Sequence, residues 1–577
     1  MGTSELLPPL NAPAPTRSVI RTALVAIVAF AFALGSLIRL ADFATTLVSS
    51  DATATVCKQA KPLVPRSALL ADIDEHYASR DFVGQAAEWL GGAVRIPTES
   101  YDDMDAPYKD PRWAPFHDLH AYLEKQFPLV HSKFSLTKVD TLALVYTWAG
   151  SDPSLKPIFL AAHQDVVPVE PHTVDQWLQP PYSGLYDGEW VWGRGACDDK
   201  SGLIGIMISL ETMISKGFTP RRTIVLGFGF DEETVGKGAL AIAQHLLGQY
   251  GENSFSLIID EGGGYVKDAG VVIAFPSVAE KGYLDVHVQV DTPGGHSSVP
   301  PTHTGIGILA ALITEVEKHP EQPKLTRDST TFEALQCEAE HAPDLPSPFR
   351  QAIKKAATSD KVLRQLEDYL VQDPGIRSLL STTQAVDLIG GGVKVNALPE
   401  QAWAVINHRI AADSSVGALQ RRLVRIADPI AQRFNVSLVA FGETVRAGDE
   451  SAGTITLSDA YGSALEPAPR TPTDDAAAPY RLLSGTIRAA YRATPDFRAR
   501  DPDIDVIVAP GMSTGNTDTK RYWALTRHIF RYNHLTFGDI YNGAHTINEA
   551  LRATALPKVA QFYSYLILNA DESDSLD

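Results

Sequence analysis

Three apolar runs, PIFLAAH at 157–163, RRTIVLGFGF at 221–230 and FSLIID at 255–260, each break off into a turn that carries histidine or carboxylate side chains. A run that is apolar without alternation reads as a strand buried on both faces, the kind found in parallel sheets covered by helices on each side. Helical stretches at about 201–216 and 238–248 separate these runs, a spacing of about 30 residues that matches βαβ crossovers. In such sheets ligands bind at the carboxyl ends of the strands. Histidine and acid side chains at several strand ends therefore converge on one edge. The fold class this predicts is α/β, a three-layer catalytic domain with a mostly parallel sheet.

A different pattern begins at residue 281. YLDVHVQVD alternates like a half-buried strand, THTGIGILAALITEVEKH is an amphipathic helix, and a strand, a helix and a strand follow up to NVSLVAFGE. This is a smaller α+β domain set into the first. The expected division is 76–281 for the first part of the catalytic domain, 282–450 for the inserted lid or dimerisation-type domain and 451–577 for the second catalytic part. A helical insertion is expected at about 320–383 within the lid, and a connector at 451–475. At 577 residues the chain is too long for a single core, which agrees with two domains.

The amino terminus predicts a membrane attachment. Residues 22–38, TALVAIVAFAFALGSLI, carry no charge and lie between Arg17 and Arg21 on one side and Arg39 on the other. That is the short end of a membrane span, and an uncleaved signal-anchor is favoured over a removed signal peptide. Residues 1–21 would then be a disordered cytosolic tail and 39–75 a tether. The body would lie in a lumen or outside the cell. The sequon Asn435-Val436-Ser437 is compatible with that side. Three cysteines, Cys57, Cys197 and Cys337, allow at most one bridge. A formal charge of -19 with no basic stripe argues against nucleic acid as a partner.

Four patches carry the chemistry: His163 with Asp165, Asp198 with Asp199, Glu232 with Glu233, and Asp260 with Glu261. His163 and Asp165 are two apart and share a face of an extended segment, which suits a ligand histidine with a carboxylate orienting its other nitrogen. Asp198 and Asp199 follow a tight GRGA turn and precede a helix, where a carboxylate can bridge two cations while Lys200 and the helix amino terminus moderate its charge; the competing reading is an N-cap aspartate with a loop neighbour. Glu232 and Glu233 end a buried strand and would repel without a cation, so one is expected to take a metal and the other a proton. Cys197 reads as a small buried thiol rather than a nucleophile. The chain has no G-x-S-x-G elbow, and GFGFDEETVGKG lacks the Ser or Thr that follows the lysine of a phosphate loop.

HQDVVP, WGRGACDDK, FGFDEETVGKG, IIDEGGG, DTPGGHSS, GGVKVNALP, NHR and GAHTINE, in that order, closely resemble the M20 metallopeptidases, co-catalytic zinc amidohydrolases. Within the family the resemblance is to the carboxypeptidase S and N-acyl-amino-acid hydrolase branch, over about residues 80–572. It implies two zinc ions per subunit, bridged by Asp198 and a water. His163 and Asp260 would complete one metal, and Glu233 and His545 the other. Glu232 would be the general base, and Asp165 would hold His163. His296 would reach the oxyanion, in dimeric relatives from the neighbouring subunit. Asn396, Arg409 and the glycines around Gly515 would hold the substrate's carbonyl and carboxylate. The implied substrates are short peptides, cut at the carboxyl-terminal bond, or alternatively N-fatty-acyl amino acids. The implied assembly is a monomer or a homodimer, and the implied placement is the vacuolar lumen or, alternatively, outside the cell. A binding module without activity would need a lost ligand or base, and none is lost.

Overall fold

The computed structural model describes residues 57–576 apart from 450, 495–503 and 505. Two sheets organise it. The larger has ten strands; Ile224–Gly229, Ile158–His163, Leu257–Asp268 and Ile529–Thr536 run side by side and parallel at its centre. Antiparallel strands flank them, including the Ser135–Val139 and Ala143–Trp148 hairpin at one edge, so the sheet is mixed around a parallel core.

The unbroken apolar runs have a direct cause. On Ile158–His163, Ile158, Leu160 and Ala162 join the core under helices Lys200–Ser215 and Ala555–Asp571. Phe159 and Ala161 join the opposite core, under helix Lys237–Tyr250. Both parities are buried, each large side chain contributing about 1.5–3 kcal/mol over exposure, so no polar residue is tolerated until the strand ends.

The smaller domain has a six-stranded sheet in the order Thr383–Gly391, Gln401–Ile410, Gly282–Asp291, Thr454–Asp459, Ser437–Ala440, Glu443–Arg446. Helices Gly305–Lys318 and Val416–Phe434 cover one face only. Leu284, Val286, Val288 and Val290 point under them while the intervening residues are partly exposed, which is the alternation legible in the sequence. The stretch read as a connector contributes the strand Thr454–Asp459, placed between Gly282–Asp291 and Ser437–Ala440. Its six residues, TITLSD, alternate too briefly to stand out among the prolines and serines around them.

The insertion folds as four helices, Thr330–His341, Ser347–Ala356, Asp360–Leu370 and Pro374–Leu380. They form a core of their own with Val271, Ile273, Ile507 and Ala509, which belong to the catalytic sheet and the segment after it. The insertion therefore leaves the lid's sequence but packs on the catalytic body. A disulfide between Cys57 and Cys337 ties the segment at the start of the described chain to the first of these helices, closing a separation of 280 residues. Cys197 is free and buried.

The expected membrane anchor needs correction. Residues 22–38 lie outside the described residues, and among the described residues no helix is long and apolar enough to cross a membrane. The transmembrane attachment, and the vacuolar or secreted placement built on it, are withdrawn.

Candidate metal centre

Two clusters of ligand-type side chains share one carboxylate. His163, Asp198 and Glu261 form the first and Asp198, Glu233 and His545 the second; in each, one donor atom per residue lies within 4.8 Å of the others. Asp198 offers a different oxygen to each side. Its Oδ1 is 3.1 Å from His163 Nε2 and its Oδ2 is 3.1 Å from His545 Nε2. His545 Nε2 is also 3.1 Å from Glu233 Oε1, and Glu261 Oε2 is 3.6 Å from His163 Nε2. One imidazole nitrogen and two carboxylate oxygens on each side of a shared carboxylate form a donor set that suits a pair of zinc ions.

Each ligand is set by its element. His163 is the last residue of its strand. Its Nδ1 donates to the Asp165 carbonyl at 3.0 Å and lies 3.3 Å from the Asp165 carboxylate, which leaves Nε2 for the cluster. The Asp165 carboxylate also accepts from Ser100 Oγ at 2.6 Å and from the backbone N–H groups of Glu232 and Glu233, each at 3.1 Å. One buried aspartate thus positions the first histidine and the loop that carries both glutamates. Burial alone would raise the Asp165 carboxyl, but these bonds, led by His163, hold it below the ordinary range.

Asp198 and Asp199 divide their work as the turn allows. They are joined by a cis peptide bond. Asp199 caps helix Lys200–Ser215 by accepting from Gly202 N, so only Asp198 faces the ligands. Gly195, at φ +85°, lets this turn lie against Val166; a Cβ there would meet Val166 Cγ1 at 2.5 Å. Lys200 does not moderate Asp198. Its ammonium turns away to the carbonyls of Ala93 and Ile96, at 3.0 and 2.6 Å, and burial pushes it down to about 7.

In the first cluster the structure places Glu261, and not the expected Asp260, within ligand distance of His163 and Asp198. Both residues lie in the strand Leu257–Asp268, where successive side chains point to opposite faces, and Glu261 is the one that faces His163. Asp260 accepts from the Glu261 N–H, and its Oδ2 has no partner. The adjacent acids of IIDEGGG left the parity undecided in the sequence. The remaining side chain of the set, Glu232, is half-buried between these groups. Burial, reinforced by Asp518 and Glu233 against the pull of His163, pushes it well above the ordinary carboxylate value. His545 is raised to about 10 by its bonds to Asp198 and Glu233, so the pocket favours positive charge strongly.

The lid supplies the other expected groups. His296 lies on the short pairing of Gly295–His296 with Ala397–Leu398 and Asn396 directly precedes the second of these strands, both exposed, and among the described residues neither hydrogen-bonds to a ligand. His296 Nδ1 accepts from Ser298 N–H at 3.1 Å, which places the ring proton of the neutral form on Nε2. Arg409 is half-buried over the Tyr283 ring, 5.6 Å from its centroid, and donates to Asn516 Oδ1 at 3.2 Å. Asn516 in turn donates to the Lys281 carbonyl at 2.6 Å, and Gly515 beside it is exposed.

Comparison with known proteins agrees with this arrangement. The chain is 39% identical over 518 residues to carboxypeptidase S of Saccharomyces cerevisiae, covering 89% of this chain and 88% of the relative. It is 30% identical to the N-fatty-acyl-amino acid synthase/hydrolase PM20D1 of Mus musculus, over 84% of this chain and 87% of the relative. The fold is that of human carnosine dipeptidase 1, with a TM-score of 0.57 at 15% identity, covering 88% of this chain and all of that one (100%). Residues 159–569 match Peptidase family M20/M25/M40, a stretch that begins in the first ligand strand and ends in the helix that closes the catalytic domain. The chain therefore belongs to that family, as a hydrolase of the two-zinc type.

Proposed function

We propose that this protein is a zinc carboxypeptidase that removes the carboxyl-terminal residue from short peptides. The observation that carries the reading is the shared-carboxylate donor set with Glu232 next to its ligand Glu233, a buried carboxyl that desolvation raises above the ordinary range. Bound zinc would supply a Lewis acid and an acidified water, with His163, Asp198 and Glu261 holding one ion and Asp198, Glu233 and His545 the other. Glu232 takes the proton of the attacking water and delivers it to the departing nitrogen. Asp165 keeps the Glu232 loop and His163 in register through its four hydrogen bonds. Arg409, a planar fork steadied by Asn516 and Tyr283, is suited to a free carboxylate, and His296 Nε2–H to the oxyanion once the lid closes. Similarity to carboxypeptidase S supports peptides as the substrate class.

A second reading, hydrolysis of N-acyl amino acids, shares every one of these groups. It is favoured by the exposed side chains of Val299, Val393 and Val395 flanking His296 and Asn396, a surface an acyl chain could cover. Turnover of blocked dipeptides measured against N-fatty-acyl amino acids separates the two, with and without a chelator. Glu232→Gln is expected to lower kcat by about 10²–10⁴-fold while both metals stay bound. Full activity in that variant, or in chelated protein, would sink the mechanism.

A further inference from the structure

Two of the three ligands of the second cluster, Asp198 and His545, lie on segments far apart in sequence, and a buried ion pair fastens one segment to the other. Strand Trp190–Trp192 pairs antiparallel with Ala550–Arg552, and Gly193 N donates to the Glu549 carbonyl at 2.9 Å. From that anchored position the Glu549 side chain, 0% exposed, reaches into the turn that carries Asp198. Its Oε1 accepts from Cys197 N at 2.9 Å and from Asp198 N at 3.4 Å. Its Oε2 accepts from Arg194 Nη1 at 2.6 Å, and the same guanidinium nitrogen donates to the carbonyl of Thr546 at 3.3 Å. Thr546 follows His545 directly. Arg194 is itself stacked over Trp177 with 6% of its side chain exposed.

We infer that the Glu549–Arg194 pair is a positioning clasp that bears chiefly on the metal site of His545. It fixes the backbone of the shared ligand Asp198 and the loop of His545 relative to each other. The first cluster's other two ligands do not depend on it in the same way: His163 is the last residue of strand Ile158–His163 and Glu261 lies within the neighbouring strand Leu257–Asp268, so the central sheet places both. His545 has no such support. It sits at φ +60° on a loop with half of its side chain exposed (50%). The clasp makes up for a ligand that the sheet does not hold. A carboxylate matters here beyond packing, because it accepts from two backbone N–H groups and a guanidinium together, and losing it would leave Arg194 buried and unpaired.

This inference rests on the two-zinc reading, and the test separates the two. The full chain is stripped of metal and titrated with Zn2+ by calorimetry, with bound metal counted by elemental analysis. The unsubstituted protein is expected to bind two ions, and binding of fewer than two overturns the two-zinc reading itself. Glu549→Gln is expected to weaken the ion at His545 about 10–100-fold, as loss of a partner behind a ligand generally does, and to weaken the other, which shares only Asp198 with it, distinctly less. His545→Ala should lose the ion at that residue, and Arg194→Met, which opens the clasp from its other end, should repeat the split if Glu549→Gln does not fold. Glu549→Asp should recover part of the lost affinity. Unchanged binding of both ions in Glu549→Gln, or equal weakening of both, overturns the clasp.

Discussion

At the scale of single residues, parity decides chemistry. Asp260 and Glu261 are neighbours of like charge, yet only Glu261 shares a cluster with His163 and Asp198. Glu261→Gln is therefore expected to cost zinc affinity in the first site, whereas Asp260→Asn should keep two ions; metal counting after dialysis checks both, and the reverse pattern would restore Asp260 as the ligand. His408 makes a different point. It is fully buried in the lid strand Gln401–Ile410, its Nδ1 meets the Ile406 carbonyl at 3.1 Å, and its Nε2 has no partner. Burial pushes it down to about 4 from an ordinary value of 6.5. The unfolded chain thus takes up a proton that the folded chain refuses. The stability His408 contributes is intact above 6.5 and is lost as pH falls toward 4, by on the order of 3 kcal/mol for a shift of this size. Melting temperatures between pH 7 and 4.5 should fall less steeply in His408→Leu than in the unsubstituted protein, and equal slopes would exclude this residue as the cause.

At the scale of elements, the insertion changes what the lid is attached to. Its four helices share a core with the catalytic sheet, and Lys281, the first residue after strand Ser277–Glu280, donates to the carbonyls of Ser378 and Ser381 at 2.8 and 2.7 Å. The neighbouring Glu280 is held by Arg531 at 2.9 Å and by Thr517 and Thr519 at 3.0 Å each. The connection between the domains is thus bracketed on one side by the insertion and on the other by the catalytic body. The Cys57–Cys337 bridge secures the insertion from outside, alongside Gln59, whose side-chain amide exchanges hydrogen bonds with the backbone of Val508 at 2.8 and 3.1 Å. Cys57→Ser is expected to cost about 2–4 kcal/mol, read as an earlier thermal transition that reductant no longer shifts. An unchanged transition would show that the bridge restrains nothing the core does not already hold.

At the scale of the whole molecule, the clustered ligand-type residues belong to the catalytic domain and Arg409, Asn396 and His296 to the lid, so the proposed mechanism depends on how the two meet. The Arg409–Asn516–Lys281 chain is a direct polar contact between them. Arg409→Met should raise KM for substrates with a free carboxyl terminus by about 10-fold or more, the loss of a charge-assisted pair, with little change for carboxyl-amidated analogues. Equal losses on both substrates would assign Arg409 to holding the domains rather than the substrate.

The sequence by itself determined the parallel core, the lid's alternating strands, and the ends of the apolar runs where His163 and Glu233 lie, because burial on two faces or one writes itself directly into residue order; Asp198 was legible from the tight turn before a helix. It also named His545, though only through resemblance, since nothing local in GAHTINE marks a ligand. Three things were decided only by the tertiary structure. Glu261 rather than Asp260 faces the cluster because the twist and register of Leu257–Asp268 set which parity points inward, and two adjacent acids carry no trace of that choice. The insertion packs on the catalytic sheet because an amphipathic helix specifies that it must be covered but not by which surface. Glu549 and Arg194 meet across 355 residues, a pairing that only chain topology creates.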